Sequence, residues 1–187
     1  MKKTALIILY MGLCGMTWAQ TSPEEIEEHI DVLHSPDGWL KESFDFPLSF
    51  APSIAFSGFE ELRFDKNWND STSQAFWSYM FVWYLDEDPK MTLDKLEVSL
   101  KAYYDGLMRV EYSTSEFRQL EDGSFVGNVE TFDNFFTKKD FTLNVKVRPS
   151  YCANSGKYAC LFYISSSTFG KEIWSQLEGI AMVEECE

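Results

Sequence analysis

The clearest polarity pattern in the chain is a strict alternation of apolar and polar residues in FTLNVKVR, residues 141–148. Successive side chains of a β-strand point to opposite faces, so a period of two indicates a strand with one buried and one solvent-facing side. The pattern predicts a strand over residues 140–148. Its inward residues are Phe141, Leu143, Val145 and Val147, and its outward residues are Thr142, Asn144, Lys146 and Arg148.

A second segment, AFWSYMFVWYLDED at residues 75–88, is apolar on both alternating sides. Its apolar run is too short for a helix across a bilayer core, which takes about twenty residues. We therefore predict a central strand that is covered on both faces and leaves the sheet at residues 86–88. One side of this strand presents Trp77, Tyr79, Phe81 and Trp83, and the other presents Phe76, Met80, Val82 and Tyr84.

Three segments have the 3.6-residue spacing of amphipathic helices. The first starts at Ser22 in SPEEIEEHIDVLH, where Glu25 completes a capping box. The second runs from the N-cap Thr92 to about Gly106, and the third covers about residues 169–184. The apolar faces are Ile26, His29, Ile30 and Leu33 in the first helix, Leu93, Leu96, Leu100, Tyr103 and Leu107 in the second, and Ile173, Leu177 and Ile180 or Ala181 in the third.

Further strands complete a sheet around these helices. They are predicted at residues 39–46, 59–64, 109–120, 124–132 and 157–165, with turn sequences such as EDGS and NSGK between them. The element order is α-βββ-α-ββββ-α. Because the connections between strands are short, we predict an α+β domain with a mostly antiparallel sheet of six to seven strands and helices packed on it.

The first nineteen residues have the features of a secretory signal peptide: Lys2 and Lys3, an apolar stretch, and the small residues Thr17 and Ala19 before the cleavage point. We therefore predict a signal peptide at 1–19 and one globular domain at 20–187, in a secreted or periplasmic protein. We expect no membrane insertion after cleavage of the signal. A lipoprotein anchor at Cys14 is disfavoured, because the bulky Leu13 precedes it.

The charge balance narrows the classes of partner. The chain has 30 acidic against 16 basic residues, and removal of Lys2 and Lys3 with the signal changes the formal charge from −14 to −16. Such a charge repels phosphate backbones and anionic headgroups, so we expect no nucleic-acid partner. An unknown small ligand or a partner protein remains compatible with it.

Three cysteines follow the signal segment: Cys152, Cys160 and Cys186. In an oxidising compartment two of them are expected to pair. Cys152 and Cys160 are equally distant in sequence from Gly156, so a hairpin that turns there would place them opposite each other. We predict this pair, with Cys160–Cys186 as the alternative. Cys186 is then left either buried or joined to a second chain in a disulfide-linked dimer.

Motifs for catalysis and metal binding are missing from the sequence. His29 and His34 are five residues apart and cannot share a metal as an i,i+4 pair can. In GSFVG, Phe125 occupies the position where a hydrolase elbow needs its serine. The loop DKNWNDSTSQAF resembles only the start of a calcium loop, because Phe76 replaces the bidentate glutamate. We predict no catalytic residue, no metal site and no cofactor.

Three acidic doublets are candidates for the acid and base of a glycosidase: Glu60–Glu61, Asp86–Glu87 and Glu121–Asp122. Neighbours in a strand point to opposite faces, so we expect these doublets to lie on the solvated surface. Glu61 and Arg63 share one face of their predicted strand, which indicates an ion pair beside the aromatic strand.

Aromatic residues make up 17% of the chain, and the flat faces of Trp and Tyr stack on sugars and apolar ligands. The interpretation we favour is an exported non-catalytic domain that binds a ligand or a partner protein through an aromatic-rich sheet face. The alternative is a small carboxylate-dependent hydrolase that acts on glycans or other envelope polymers. The candidate ligand-binding residues are Trp77, Tyr79, Trp83, Glu61 and Arg63.

Overall fold

The computed structural model describes residues 29–34 and 36–186. The predicted signal peptide and residues 22–28 of the first predicted helix lie outside the described residues. The elements in chain order are β1 (Leu40–Asp45), β2 (Gly58–Phe64), β3 (Tyr79–Leu85), α1 (Leu93–Met108), β4 (Thr114–Gln119), β5 (Phe125–Phe132), β6 (Asp140–Cys152), β7 (Lys157–Ser165) and α2 (Glu172–Glu178).

These strands form one antiparallel sheet of seven strands, in the order β1-β2-β3-β7-β6-β5-β4. Most neighbours in the sheet also follow each other in the chain, as expected when short connections reverse the strand direction. The exception is the pairing of β3 with β7, which joins the two halves of the sheet across α1 and three strands. The predicted α+β class with a mostly antiparallel sheet is confirmed.

β3 is the strand that the aromatic segment predicted. It lies between β2 and β7, and all seven of its residues are buried, so the expected burial on both faces is confirmed. The strand begins at Tyr79 and not at Ala75, because Trp77 has a left-handed backbone with φ of 48°. The Trp77 N–H donates to the Trp68 carbonyl at 2.7 Å. This turn breaks the alternation, so Phe76 packs on the same side as Trp77 and not with Met80.

The sheet separates two apolar cores. We call face A the side that α1 covers, together with the loop at 46–57, and face B the opposite side, which α2 and the extended residues 29–33 cover. Burial of each large apolar side chain contributes about 1.5–3 kcal/mol, so both cores stabilise the sheet. The face A core includes Leu62, Phe81, Trp83, Leu96, Leu100, Val145 and Phe162, and the face B core includes Val32, Leu33, Met80, Val82, Trp174 and Leu177.

Residues 29–34, predicted as the end of the first helix, are extended instead. Leu33 forms an isolated β-bridge with Met182. The backbone N–H groups of Val32 and Leu33 donate to the Glu61 carboxylate at 3.2 and 3.0 Å. These bonds to distant residues take the place of intrahelical bonds, so tertiary contacts outweigh the helical pattern in this segment. Ile30, predicted on the apolar face, is 75% exposed.

Helix α1 begins where the sequence predicts, because Thr92 Oγ1 accepts the Lys95 N–H at 3.3 Å. It ends at Met108, and Arg109 follows in the left-handed C-cap conformation, so β4 begins at Thr114 instead of residue 109. Gly106 lies directly against the loop at 46–57. A Cβ at this position would be 1.8 Å from the Phe50 carbonyl oxygen, so only glycine permits this close approach.

Helix α2 is shorter than predicted, because it ends before Gly179. Its apolar side is nevertheless the predicted one: Ile173, Leu177 and Ile180 are all buried. No helix in the described part of the chain is long and apolar enough to cross a membrane.

The disulfide joins Cys152 to Cys186, so the predicted Cys152–Cys160 bond is wrong. The β6–β7 hairpin closes on Cys152 and Lys157, which places Cys160 opposite Pro149 and away from Cys152. The two cysteines also lie in different cores, with Cys160 on face A and Cys152 on face B. An intrasheet disulfide between them is therefore geometrically excluded.

The actual pairing changes two further expectations. Cys160 is a buried free thiol, and desolvation raises its pKa to about 12, which keeps it unreactive. The Cys186 sulfur is already bonded within the chain. A dimer linked through Cys186 would require this bond to break, so the predicted dimer loses its basis.

Candidate functional site

The sequence-predicted ligand-binding residues lie in the two cores. Trp77, Tyr79 and Trp83 are at most 2% exposed on face A, and Glu61 and Arg63 are at most 2% exposed on face B. The thickness of the sheet therefore separates the three aromatic residues from the ion pair. The structure does not bring the five residues together on an accessible surface.

The Glu61–Arg63 pair is present as the sequence indicates, with Glu61 Oε1 and Arg63 Nη2 2.7 Å apart. Arg63 also donates to the carbonyls of Leu33 at 2.9 Å and Leu62 at 3.0 Å. Glu61 accepts the two N–H groups of Val32 and Leu33 described above. The buried pair thus has hydrogen-bond partners on both sides, and it attaches the extended segment at 29–33 to the sheet.

Glu60 is fully buried on face A, so the expected surface position of the Glu60–Glu61 doublet is wrong for both members. Its carboxyl accepts from Trp83 Nε1 at 2.7 Å and from the Tyr103 hydroxyl at 3.1 Å. Desolvation outweighs these two hydrogen bonds and raises the pKa of Glu60 to about 8. Beside it, the hydroxyls of Tyr79 and Tyr104 are 2.7 Å apart, and burial raises the pKa of both. This polar network lies inside the core.

Face B of strands β4, β5 and β6 is open, because α2 has only seven residues and lies over β7. Apart from Cys152 at the end of β6, the residues of these strands that point away from the face A core are therefore partly or fully exposed. On β6 they are the four that the sequence pattern predicted as outward: Thr142, Asn144, Lys146 and Arg148.

This open face contains a depression of about 720 Å³, which we call the basic depression. A row across four neighbouring strands forms its floor: Arg118 on β4, Val126 on β5, Lys146 on β6 and Tyr163 on β7. Adjacent strands are about 4.8 Å apart, so the backbones of Arg118 and Lys146 are roughly 10 Å apart. Arg148 and Phe169 also line the depression. Its volume is typical of small-molecule sites, which span about 300–1,000 Å³.

Three cations and two carboxylates determine the charge in the basic depression. Lys146 forms an ion pair with Glu178 at the end of α2, and its Nζ lies 5.3 Å from the ring centroid of Trp174. Among the described residues, neither Arg118 nor Arg148 has an ion-pair partner within 4 Å. The depression is therefore locally positive on a chain with a formal net charge of −14.

The second carboxylate, Asp122, lies at the rim of the basic depression. Ser124 donates to it from its hydroxyl at 2.5 Å and from its N–H at 3.0 Å. These hydrogen bonds lower the pKa of Asp122, and the charge of Arg148 adds to the effect. Desolvation raises the pKa of Tyr163, and Arg148 opposes this shift. Arg148 is thus close enough to act electrostatically on both sides of the depression.

Part of this site was visible in the sequence. The alternation in FTLNVKVR predicted that Lys146 and Arg148 point to the same, outward side of one strand. No comparable sequence pattern points to Arg118. It lies on the same side as Lys146 and Arg148 only because β4 pairs with β5 and β5 pairs with β6. Phe169 and Glu178 are contributed by the C-terminal part of the chain, beyond β7.

The described residues also place donor atoms of Cys152, Glu184 and Cys186 within 4.8 Å of one another. The two sulfurs are joined in the disulfide, so they offer no thiolate to a metal. Neither a protein-family model, nor a curated protein, nor a solved structure matches this chain. Function is therefore inferred from the geometry of the basic depression.

Proposed function

We propose that this protein is an exported, non-catalytic domain that binds a small ligand in the basic depression on face B. The observation that carries the proposal is the depression of about 720 Å³ on an otherwise open sheet face. It combines an apolar and aromatic wall with a few charged groups, which is the composition of small-molecule sites. The aromatic contribution comes from Tyr163 and Phe169, and not from the buried residues of β3.

Two features support export. The N-terminal sequence has the charge, apolar stretch and small residues of a signal peptide. The Cys152–Cys186 disulfide is a bond that persists in oxidising compartments and is rare in reducing ones.

The carboxylates of the structure favour binding over hydrolysis. A carboxylate-dependent hydrolase needs an accessible acid that keeps its proton near neutral pH. Among the described carboxyls, the one whose pKa is raised to about 8 is Glu60, which is inaccessible in the face A core. Desolvation also raises the pKa of Glu42 on β1, which lies outside the basic depression. In the basic depression, the pKa of Asp122 is lowered and Glu178 is paired with Lys146. Neither is suited to donate a proton to a leaving group.

The proposal is tested with a variant that fills the depression. Val126 lies half-buried at its floor, so Val126→Trp should occupy the space that a ligand would enter. The matched control is Val98→Trp, at a position on α1 that is 69% exposed and belongs to the opposite side of the sheet. Both variants should fold, because neither valine belongs to the face A or face B core.

Binding is measured by tryptophan fluorescence and by amide chemical shifts in ¹H–¹⁵N spectra, with a panel of saccharides, aromatic acids, lipids and cell-envelope extracts. We expect at least one component to shift amides of β4, β5 and β6. Val126→Trp should abolish the shift, and Val98→Trp should retain it. A panel without any response, or a response that Val126→Trp leaves intact, would refute the proposal.

A further inference from the structure

The two arginines of the basic depression are available to a ligand. Arg118 and Arg148 are exposed, and neither has an ion-pair partner within the part of the chain that the structure describes. Of the two carboxylates that line the depression, Glu178 is paired with Lys146, whereas Asp122 accepts hydrogen bonds from Ser124 and feels the charge of Arg148 without forming an ion pair within 4 Å. Two guanidinium groups thus face the same depression with free donors. An arginine fork matches the geometry of a carboxylate or phosphate group and can bind either through two hydrogen bonds.

Part of the remaining wall of the depression is apolar or aromatic. Tyr163 is 7% exposed and Phe169 is 41% exposed, and Val126 lies between the arginine of β4 and the lysine of β6. Lys146 is held beside the aromatic rings of Phe169 and Trp174. An inorganic ion would leave this wall uncovered. A planar or apolar group attached to the anion would cover it and bury additional apolar surface.

The overall charge of the chain selects for a small anion. The net charge of −14 repels a polyanion along the whole approach surface. At physiological ionic strength, charges beyond about 8 Å are largely screened, so an anion that fits within the depression responds mainly to the nearby cations. A volume of about 720 Å³ holds a molecule of this kind.

From these observations we infer that the ligand of the basic depression is a small amphipathic oxyanion, with a carboxylate or phosphate group bound by Arg118 and Arg148 and an aromatic or apolar body against Tyr163 and Phe169. This inference rests on the proposed function and names the ligand class of the same site. Preferential binding of a polyanion or of a neutral ligand would contradict the inference, and the test includes a probe for each.

The probes are phenyl phosphate, its neutral analogue benzyl alcohol, inorganic phosphate and heparin, titrated into the full-length mature chain by calorimetry and ¹H–¹⁵N spectroscopy. The test variant is Arg118→Gln with Arg148→Gln. The matched control is Lys66→Gln with Lys139→Gln, which removes the same charge from exposed positions at the far end of the sheet. Val126→Trp reports whether any binding observed occupies the depression.

We expect phenyl phosphate to bind at least tenfold more tightly than benzyl alcohol and inorganic phosphate. The double arginine variant should weaken phenyl phosphate binding by at least about tenfold, because the loss of even one hydrogen bond to a charged group costs about that factor. The double lysine variant should change the affinity for phenyl phosphate by less than about twofold, because salt screens the effect of charges outside the depression.

Each other outcome overturns the inference in a distinguishable way. Benzyl alcohol binding that equals phenyl phosphate binding, and that Val126→Trp abolishes, refutes the oxyanion while the proposed function stands. If inorganic phosphate binds as tightly as phenyl phosphate, the inference that the ligand is amphipathic is refuted. If heparin binds more tightly than phenyl phosphate, the inference that the ligand is small is refuted. No response to any probe refutes the oxyanion class, and the broader ligand panel then decides whether the depression binds anything.

Discussion

The buried carboxyl of Glu60 makes the stability of this protein depend on pH in an unusual direction. Its pKa is about 8 in the folded chain, against an ordinary value of 4.5. Between these two values the folded state keeps the proton and the unfolded state releases it. The free energy of unfolding therefore falls as pH rises, by about 1.4 kcal/mol per pH unit and by about 5 kcal/mol between the two pKa values. Below pH 4.5 both states are protonated, and the stability is fully present.

Replacement of Glu60 by glutamine should remove this dependence. Glutamine has nearly the same shape, and its carbonyl oxygen can still accept from Trp83 Nε1 while its amide faces Tyr103. Because glutamine does not ionise, we expect Glu60→Gln to stabilise the fold by about 3 kcal/mol at pH 7 and by little at pH 4.5. The gain should grow steadily between these two pH values.

The assay is urea unfolding, followed by tryptophan fluorescence, at pH 4.5, 5.5, 6.5 and 7.5. The control is Glu87→Gln, which removes a carboxylate from an exposed position after β3. The quantity that matters is the difference in unfolding free energy between wild type and variant. If this difference for Glu60→Gln is constant across the series, Glu60 titrates equally in both states and the reasoning from its burial is wrong.

Three further predictions concern stability and use the same urea assay. Glu61→Ala leaves the buried Arg63 guanidinium with only the largely exposed Asp31 carboxylate, 3.5 Å away, as an ion-pair partner, and should destabilise the fold by about 3–5 kcal/mol. A loss below about 1 kcal/mol would contradict the role of the Glu61–Arg63 pair. Reduction of the Cys152–Cys186 disulfide, which spans 34 residues, should lower the free energy of unfolding by about 4 kcal/mol. An unfolding curve that dithiothreitol leaves unchanged would contradict this prediction. Gly106→Ala should destabilise the fold by about 1–3 kcal/mol, because the new Cβ overlaps the Phe50 carbonyl. This loss should outweigh the better helix propensity of alanine. A stabilised variant would refute the close approach.

Several elements of the fold are predictable from local sequence. The alternation in FTLNVKVR predicts the two sides of β6, and Thr92 predicts the start of α1. The first predicted helix shows where this reasoning fails. Its described end, residues 29–34, has helical spacing, but Glu61 supplies stronger partners for its backbone from 28 and 29 residues away. A local pattern does not contain such a partner.

The candidate site is predictable only in part. The sequence pattern places Lys146 and Arg148 on one outward side, whereas Arg118 reaches them through the register of two other strand pairs. The aromatic residues that composition suggested as a ligand surface are instead the interior of the sheet, because β3 lies between β2 and β7 with a core on each face.

The amino-acid sequence is sufficient to specify a central aromatic strand, an antiparallel sheet with helices and a chain rich in negative charge. These properties depend on periodicity and composition, which short-range rules describe. The choice of Cys186 over Cys160 as the partner of Cys152, the raised pKa of Glu60 and the convergence of three cations in one depression depend on strand register and on which faces the helices leave uncovered. They arise from contacts between residues far apart in the chain, and these contacts exist only once the sheet has assembled.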